Sequence, residues 1–155
     1  MPVQKLKDFL DSQKVKYTTS SHSMAFTASE VAASAHVSGK EMAKTVMVKV
    51  DGKLAMVVLP APEFVSMELL RDVTNADEVE LATERDFKDQ FPDCEIGAMP
   101  PFGNLYDLET YVDASLTEDK EIAFNAGTHT EIIKMAYEDF HDLVQPKVVQ
   151  LAFEV

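Results

Sequence analysis

The sequence predicts an α+β domain built on a strongly curved, mostly antiparallel sheet flanked by short helices. Three observations predict it. Two β-rich runs, residues 45–50 and 53–59, are joined by Asp51-Gly52, a pair that favours a two-residue type I′ hairpin. Apolar residues recur at helical spacing near the N-terminus, in Val3, Leu6, Phe9 and Leu10. Further strands and helices then follow in mixed order, without the regular alternation of a doubly wound fold.

The N-terminal periodicity predicts an amphipathic helix over residues 3–13, and residues 16–20 read as a short strand. Thr27 and Glu30 stand three apart ahead of Val31-Ala32-Ala33, a capping box opening a second helix that Gly39 would stop. In the hairpin the turn fixes the register: Val50 opposite Lys53, Val48 opposite Ala55, Val46 opposite Val57 and Lys44 opposite Leu59. One face then carries Lys44, Val46, Val48, Val50, Ala55, Val57 and Leu59, and the other Met47, Leu54, Met56 and Val58. Both faces are apolar, so the hairpin is expected at the centre of the sheet, with Val46, Val48, Val57 and Leu59 buried. Ser66 and Thr83 look like caps of short helices over 67–72 and 84–90, with a strand at 78–81 between them. Pro92, Gly97, Pro100, Pro101 and Gly103 make residues 91–103 an irregular loop. Strands are expected at 105–112, 121–126, 130–135 and 147–153, and a helix at 137–144 ahead of Pro146.

A chain of 155 residues fits a single domain, 1–155, around one core. With 46% hydrophobic and 26% charged residues it is not a disordered chain, and no apolar run approaches the ~20 residues needed to span a bilayer. Lys5, Lys7 and Asp8 stand where a signal peptide needs an apolar stretch, so export is not expected. Cys94 is the only cysteine, which excludes an intrachain disulfide and suits a reducing, cytoplasmic setting. The formal charge of −13 argues against a protein that grips duplex DNA through many phosphates. It is unevenly spread, with a net of +3 over residues 1–53 and −16 over residues 54–155. Contact with one or two phosphates on the N-terminal side stays open.

Three features carry candidate chemistry. Lys44 heads a row of valines, and a buried ammonium needs an anionic or polar partner, a cleft mouth, or a route by which it snorkels to water. The loop Gly97-Ala98-Met99-Pro100-Pro101-Phe102-Gly103 is either a plain connection or a stiffened turn that aims N–H groups at an oxygen. Asn125-Ala126-Gly127-Thr128-His129-Thr130 is a turn between strands holding a histidine among small polar residues. Glu138 and His141 form a Glu-x-x-His pair with no second copy, and no phosphate-binding loop, nucleophile elbow or zinc motif is present. No metal or cofactor is expected.

Together and in this order, Ala43-Lys44-Thr45, the 97–103 loop and Gly127-Thr128-His129-Thr130 followed by Lys134-Met135 resemble the YbaK/prolyl-tRNA synthetase-associated domain family. The resemblance covers nearly the whole chain and implies a partly barrel-like sheet and deacylation of mischarged aminoacyl-tRNA carrying a small amino acid. A chain of this length leaves no room for a synthetase catalytic body, so a free-standing member acting in trans is implied. Lys44 would be the key lysine near the 3′-terminal phosphate and ester, Gly97 would open the loop that holds the carbonyl, and His129 would line the aminoacyl pocket. Phe26, Thr45, Ala98, Met99, Pro100, Pro101, Phe102, Gly103, Asn125, Gly127 and Thr128 would complete the substrate-binding surface. The family uses the substrate's own hydroxyl or thiol with water, in place of a protein nucleophile. The implied partner is the acceptor end of a mischarged tRNA, with a synthetase or an elongation factor as a candidate second, and neither DNA nor membrane. The rival is a non-catalytic module that uses the same cleft for a nucleotide or small ligand.

Overall fold

The structure, a computed structural model, describes residues 4–21, 42–95 and 97–153. The helix expected after Thr27 lies outside the described residues, and Phe26 with it. Helix α1, Gln4–Ser12, buries Leu6 and Leu10 completely, as residues four apart share one face. Strand β1, Tyr17–Ser21, follows.

The hairpin of β2, Ala43–Val50, and β3, Lys53–Pro60, has the register its turn dictates, including Lys44 opposite Leu59. Asp51 and Gly52 have φ of 49° and 83°, the two positive values that a type I′ turn requires. The Asp51 carboxylate also accepts the N–H groups of Asp77 and Glu78, which leads the chain into β5, Val79–Leu81.

A five-stranded sheet has the order β5-β2-β3-β6-β9, with β6 at Glu109–Asp113 and β9 at Lys147–Val149. Its β5-β2-β3 half is antiparallel, whereas β3–β6 and β6–β9 are parallel. A three-stranded antiparallel sheet, β1-β8-β7, uses β7, Glu121–Asn125, and β8, Glu131–Ala136. An isolated parallel bridge, Met42 to Ala123, brings the head of β2 against β7. The two sheets therefore meet along β2, and they do not close into a barrel.

The hairpin is central, and its two faces feed two apolar clusters. Met47, Met56 and Val58 join α1 and the aromatic core, while Val48, Ala55, Val57 and Leu59 pack with Leu70, Tyr111 and Leu151. Val48, Val57 and Leu59 are fully buried, but Val46 is only half-buried.

Ser66 caps the helix α2, Met67–Thr74, its hydroxyl oxygen accepting the Leu69 N–H at 3.2 Å. At Thr83 the bond runs the other way, since Thr83 donates its N–H and hydroxyl to the Asp86 carboxylate. Helix α3, Glu84–Phe87, then tightens into a 3-10 turn, Lys88–Gln90. Helix α4 spans Tyr137–Val144. Two strands depart from expectation. Residues 103–106 form a 3-10 helix ahead of β6, and the strand expected at 147–153 breaks in two. Asp113 causes the break: its buried Oδ1 accepts the N–H groups of Leu151 and Ala152, both at 3.0 Å, pulling them from the β9 line. Strand β10, Ala152–Phe153, pairs instead with the two-residue β4, Phe64–Val65. Among the described residues no helix is long and apolar enough to cross a membrane.

Candidate active site

Lys44 is half-buried on the Val46–Val48 face of β2. Its Nζ lies 4.8 Å from the centre of the Phe64 ring, within cation–π range. Burial pushes the ammonium below its ordinary pKa, against a smaller upward pull from the Glu63 carboxylate. A cavity of about 340 Å³ opens here, lined by Lys44, Val46, Phe64, Val65, Met67 and Leu81. This explains the exposure of Val46: the hairpin face expected to be covered throughout is open where β4 and β5 flank it. Phe64 gave no signal in the sequence, because the two-residue β4 is too short for a pattern, and Met67 and Leu81 stood in the expected 67–72 helix and 78–81 strand without being singled out. Thr45, next along β2 and also half-buried, points to the opposite face.

The 97–103 loop divides into two parts. Gly97 is exposed with φ of +86°, and a Cβ built on it would stand 3.3 Å from His129 Cε1. Two backbone bonds tie this part to the 125–130 turn, Glu95 N–H to Gly127 O at 2.7 Å and Gly127 N–H to Ala98 O at 2.9 Å. The Glu95 carboxylate adds a third by accepting the His129 N–H at 2.7 Å. Ala98, Met99, Pro100, Pro101, Phe102 and Gly103 are buried. The Phe102 ring sits in the core, 5.4 Å from Phe140 and 5.5 Å from Phe124, and a Cβ on Gly103 would meet Leu108 O at 2.8 Å. The N–H groups of Ala98 and Phe102 are engaged within the loop, by Glu95 O and Pro100 O. The Met99 N–H bonds to no described residue, and Met99 itself is buried.

Asn125 ends β7, and alternation puts it on the face opposite the core residues Ile122, Phe124 and Ala126. It is 7% exposed, and its Oδ1 has no hydrogen-bond partner. The isolated Met42–Ala123 bridge brings the two strands together two residues before Lys44 on one and Asn125 on the other. Gly127 has φ of +97°, and the Thr128 and Thr130 hydroxyls are 3.5 Å apart. Contacts thus join Gly97, Ala98, Gly127 and His129, and the single Met42–Ala123 bridge links the head of the Lys44 strand to the Asn125 strand. Phe102 and Gly103 serve packing, and Phe26 lies outside the described residues.

The aminoacyl-tRNA editing domain model matches residues 22–143 of the chain. The chain belongs to that family. Within it, 103 residues are 31% identical to the proline–tRNA ligases of Bacillus mycoides (strain KBAB4) and Bacillus cereus (strain AH187), covering 64% of this chain. They amount to only 18% of each ligase. The crystal structure of hypothetical protein APE2540 has the same fold, at a TM-score of 0.86 and 18% identity, over 96% of this chain and 99% of that one. So does a proposed trans-editing enzyme for prolyl-tRNA synthetase, at a TM-score of 0.83 and 15% identity, over 97% and 96% of the two chains.

Other reactive groups in this editing domain are engaged elsewhere. Burial raises the Cys94 thiol above its ordinary pKa, and its Sγ rests 3.5 Å from the Tyr106 hydroxyl. His141 of the Glu-x-x-His pair packs its ring 6.0 Å from that of Tyr137.

Proposed function

We propose that this editing domain is a hydrolase acting in trans on the ester between a wrongly attached small amino acid and the 3′ end of a tRNA. The observation that carries the reading is the half-buried Lys44 at a cavity mouth, on the strand whose head bridges to β7 ahead of the turn that holds His129 against Gly97. An ammonium held there meets the terminal phosphate and the ester oxygen. In this reading the Met99 N–H, ahead of two prolines that stiffen the loop, polarises the carbonyl. Water adds to that carbonyl carbon, the bond to the ribose oxygen breaks, and this oxygen leaves with a proton, giving free amino acid and uncharged tRNA.

One preorganised donor is worth roughly 3–4 kcal/mol where its removal has been measured, so such a site needs no protein nucleophile. Size does the selecting. A methylene is worth only about 1–3 kcal/mol of discrimination, which is why a second, smaller sieve corrects errors that a synthetase makes. The similarity to part of two proline–tRNA ligases points to tRNA charged by such an enzyme as the source of substrate. Purified protein tested against small mischarged amino acids on matched tRNAs should speed the loss of at least one ester far above its spontaneous rate. Loss at the spontaneous rate for all of them would leave a binding module.

A further inference from the structure

Three buried side-chain oxygens among the described residues lack a hydrogen-bond partner: Thr110 Oγ1, Asn125 Oδ1 and the Tyr137 hydroxyl. Thr110 is walled in by Gly103, and Tyr137 lies in the main core with Phe140. Asn125 differs. It lies on the face of β7 opposite Ile122 and Phe124, two residues before Gly127, which is bonded to Glu95 and Ala98 beside the candidate site. A desolvated carbonyl oxygen left without a donor is costly, and such atoms are retained where a ligand brings the donor.

We infer that Asn125 Oδ1 accepts the α-ammonium of the aminoacyl group, making Asn125 a specificity-determining residue for aminoacyl over deaminated acyl esters. The inference rests on the editing reading and adds to it how the amino end is recognised. One feature favours a cationic donor over a ribose hydroxyl: the Glu95 carboxylate sits on the adjoining turn through its bond to His129 N–H and biases that side of the site towards a cation. The amide itself is neutral, so the pocket is not sealed by an ion pair to Lys44, and a bound ammonium is held without competing for it.

The test uses non-hydrolysable 3′-amide analogues of alanyl-adenosine and propionyl-adenosine, which differ only in the α-amino group, with binding read by calorimetry. The wild-type protein should prefer the alanyl analogue by about ten- to hundredfold, the range for a hydrogen bond to a charged group. Asn125→Ala should bring that ratio close to one while propionyl binding changes little, and Asn125→Asp, which keeps the acceptor, should preserve it. Asn125→Leu, nearly isosteric, stands in if the alanine variant melts early. An unchanged ratio in the alanine or leucine variant overturns the inference, as does an equal loss for both analogues. A loss that follows a 2′-deoxy analogue instead would assign Asn125 to the ribose, and also overturns it. If neither analogue binds and no ester is hydrolysed, the editing reading itself fails and this inference falls with it. Hydrolysis without α-amino preference sinks the inference alone.

Discussion

Replacing Gly97 by alanine isolates the loop's part in the chemistry. The residue has φ of +86°, and a left-handed L-residue costs about 1–2 kcal/mol. Each kcal/mol moves the melting temperature of a chain this size by roughly 2–4 °C, so a fall of ~2–8 °C is expected. The new Cβ would stand 3.3 Å from His129 Cε1 and 3.7 Å from Nε2, tight enough to displace the ring by a few tenths of an ångström. The same strain tilts the Met99 N–H two residues on. Misplacement of a catalytic group by about 1 Å can cost 10²-fold, so a rate loss of roughly ten- to hundredfold is expected at 25 °C, where the variant remains folded. Deacylation of a mischarged tRNA and calorimetric binding of an amide-linked analogue, measured on the same preparation, separate the effects. The rate should fall much more than the affinity. Equal losses would mean that the loop only shapes a pocket, and an unchanged rate would place the chemistry elsewhere.

Lys44→Met should lower deacylation by roughly 10²-fold or more, the scale of losing one charge-stabilising donor, with an unchanged or higher melting temperature. The folded-state pKa of Lys44 lies below 10.5, so the cost of its charged form is present in full at neutral pH and lifts as pH rises from the folded value towards 10.5. Denaturant melts should accordingly show wild-type stability gaining on Lys44→Met across that window, and a parallel pH dependence would contradict the burial of the ammonium. Asp113→Ala leaves the Leu151 and Ala152 N–H groups unpaired at about 1–3 kcal/mol each, so chemical denaturation should show a clear loss of stability and a loss below ~1 kcal/mol would refute it. Binding to tRNA should be weak, with a log–log salt slope of about −1.4 to −2.1 for two or three phosphates, and a slope matching eight would contradict the charge distribution. Lys53 stands opposite Val50, six residues along β2 from Lys44, or about 20 Å, so a single phosphate cannot reach both lysines.

The hairpin was legible because Asp51-Gly52 admits few conformations, and alternation then assigns every side chain to a face. Helix ends were legible at Ser66 for a similar reason: a short polar side chain ahead of an apolar run has one good use there. The parallel pairing of β6 and β9 left no local mark, since it is decided by where long connections return. Nor did the break before Ala152, which depends on the Asp113 carboxylate 38 and 39 residues earlier in the chain. In the candidate site, Lys44 was conspicuous as a charge in a row of valines and Gly97 as a loop glycine, whereas the positive φ of Gly127 emerged only from the structure. Asn125 was visible only as one residue of a candidate turn, with a substrate-binding part implied by the family resemblance, because an asparagine at a strand end looks like any turn residue until its missing partner is seen. Phe102 and Gly103 could not be told from ligand-facing loop residues by composition, and only packing shows that they serve the core.

The central claim is that Lys44 and the Gly97–His129 turn cleave an ester in trans. The measurement that meets it most directly is the decay of a small mischarged amino acid on its tRNA under single-turnover conditions, with no synthetase present. Wild-type protein, Lys44→Met and buffer alone are followed side by side. The account predicts decay by the wild type at least a hundredfold faster than by Lys44→Met, which in turn approaches buffer, with both proteins equally folded. Identical decay in the three samples, together with tight binding of the amide-linked analogue by the wild type, would contradict it and identify a module that holds this end of tRNA without cutting it.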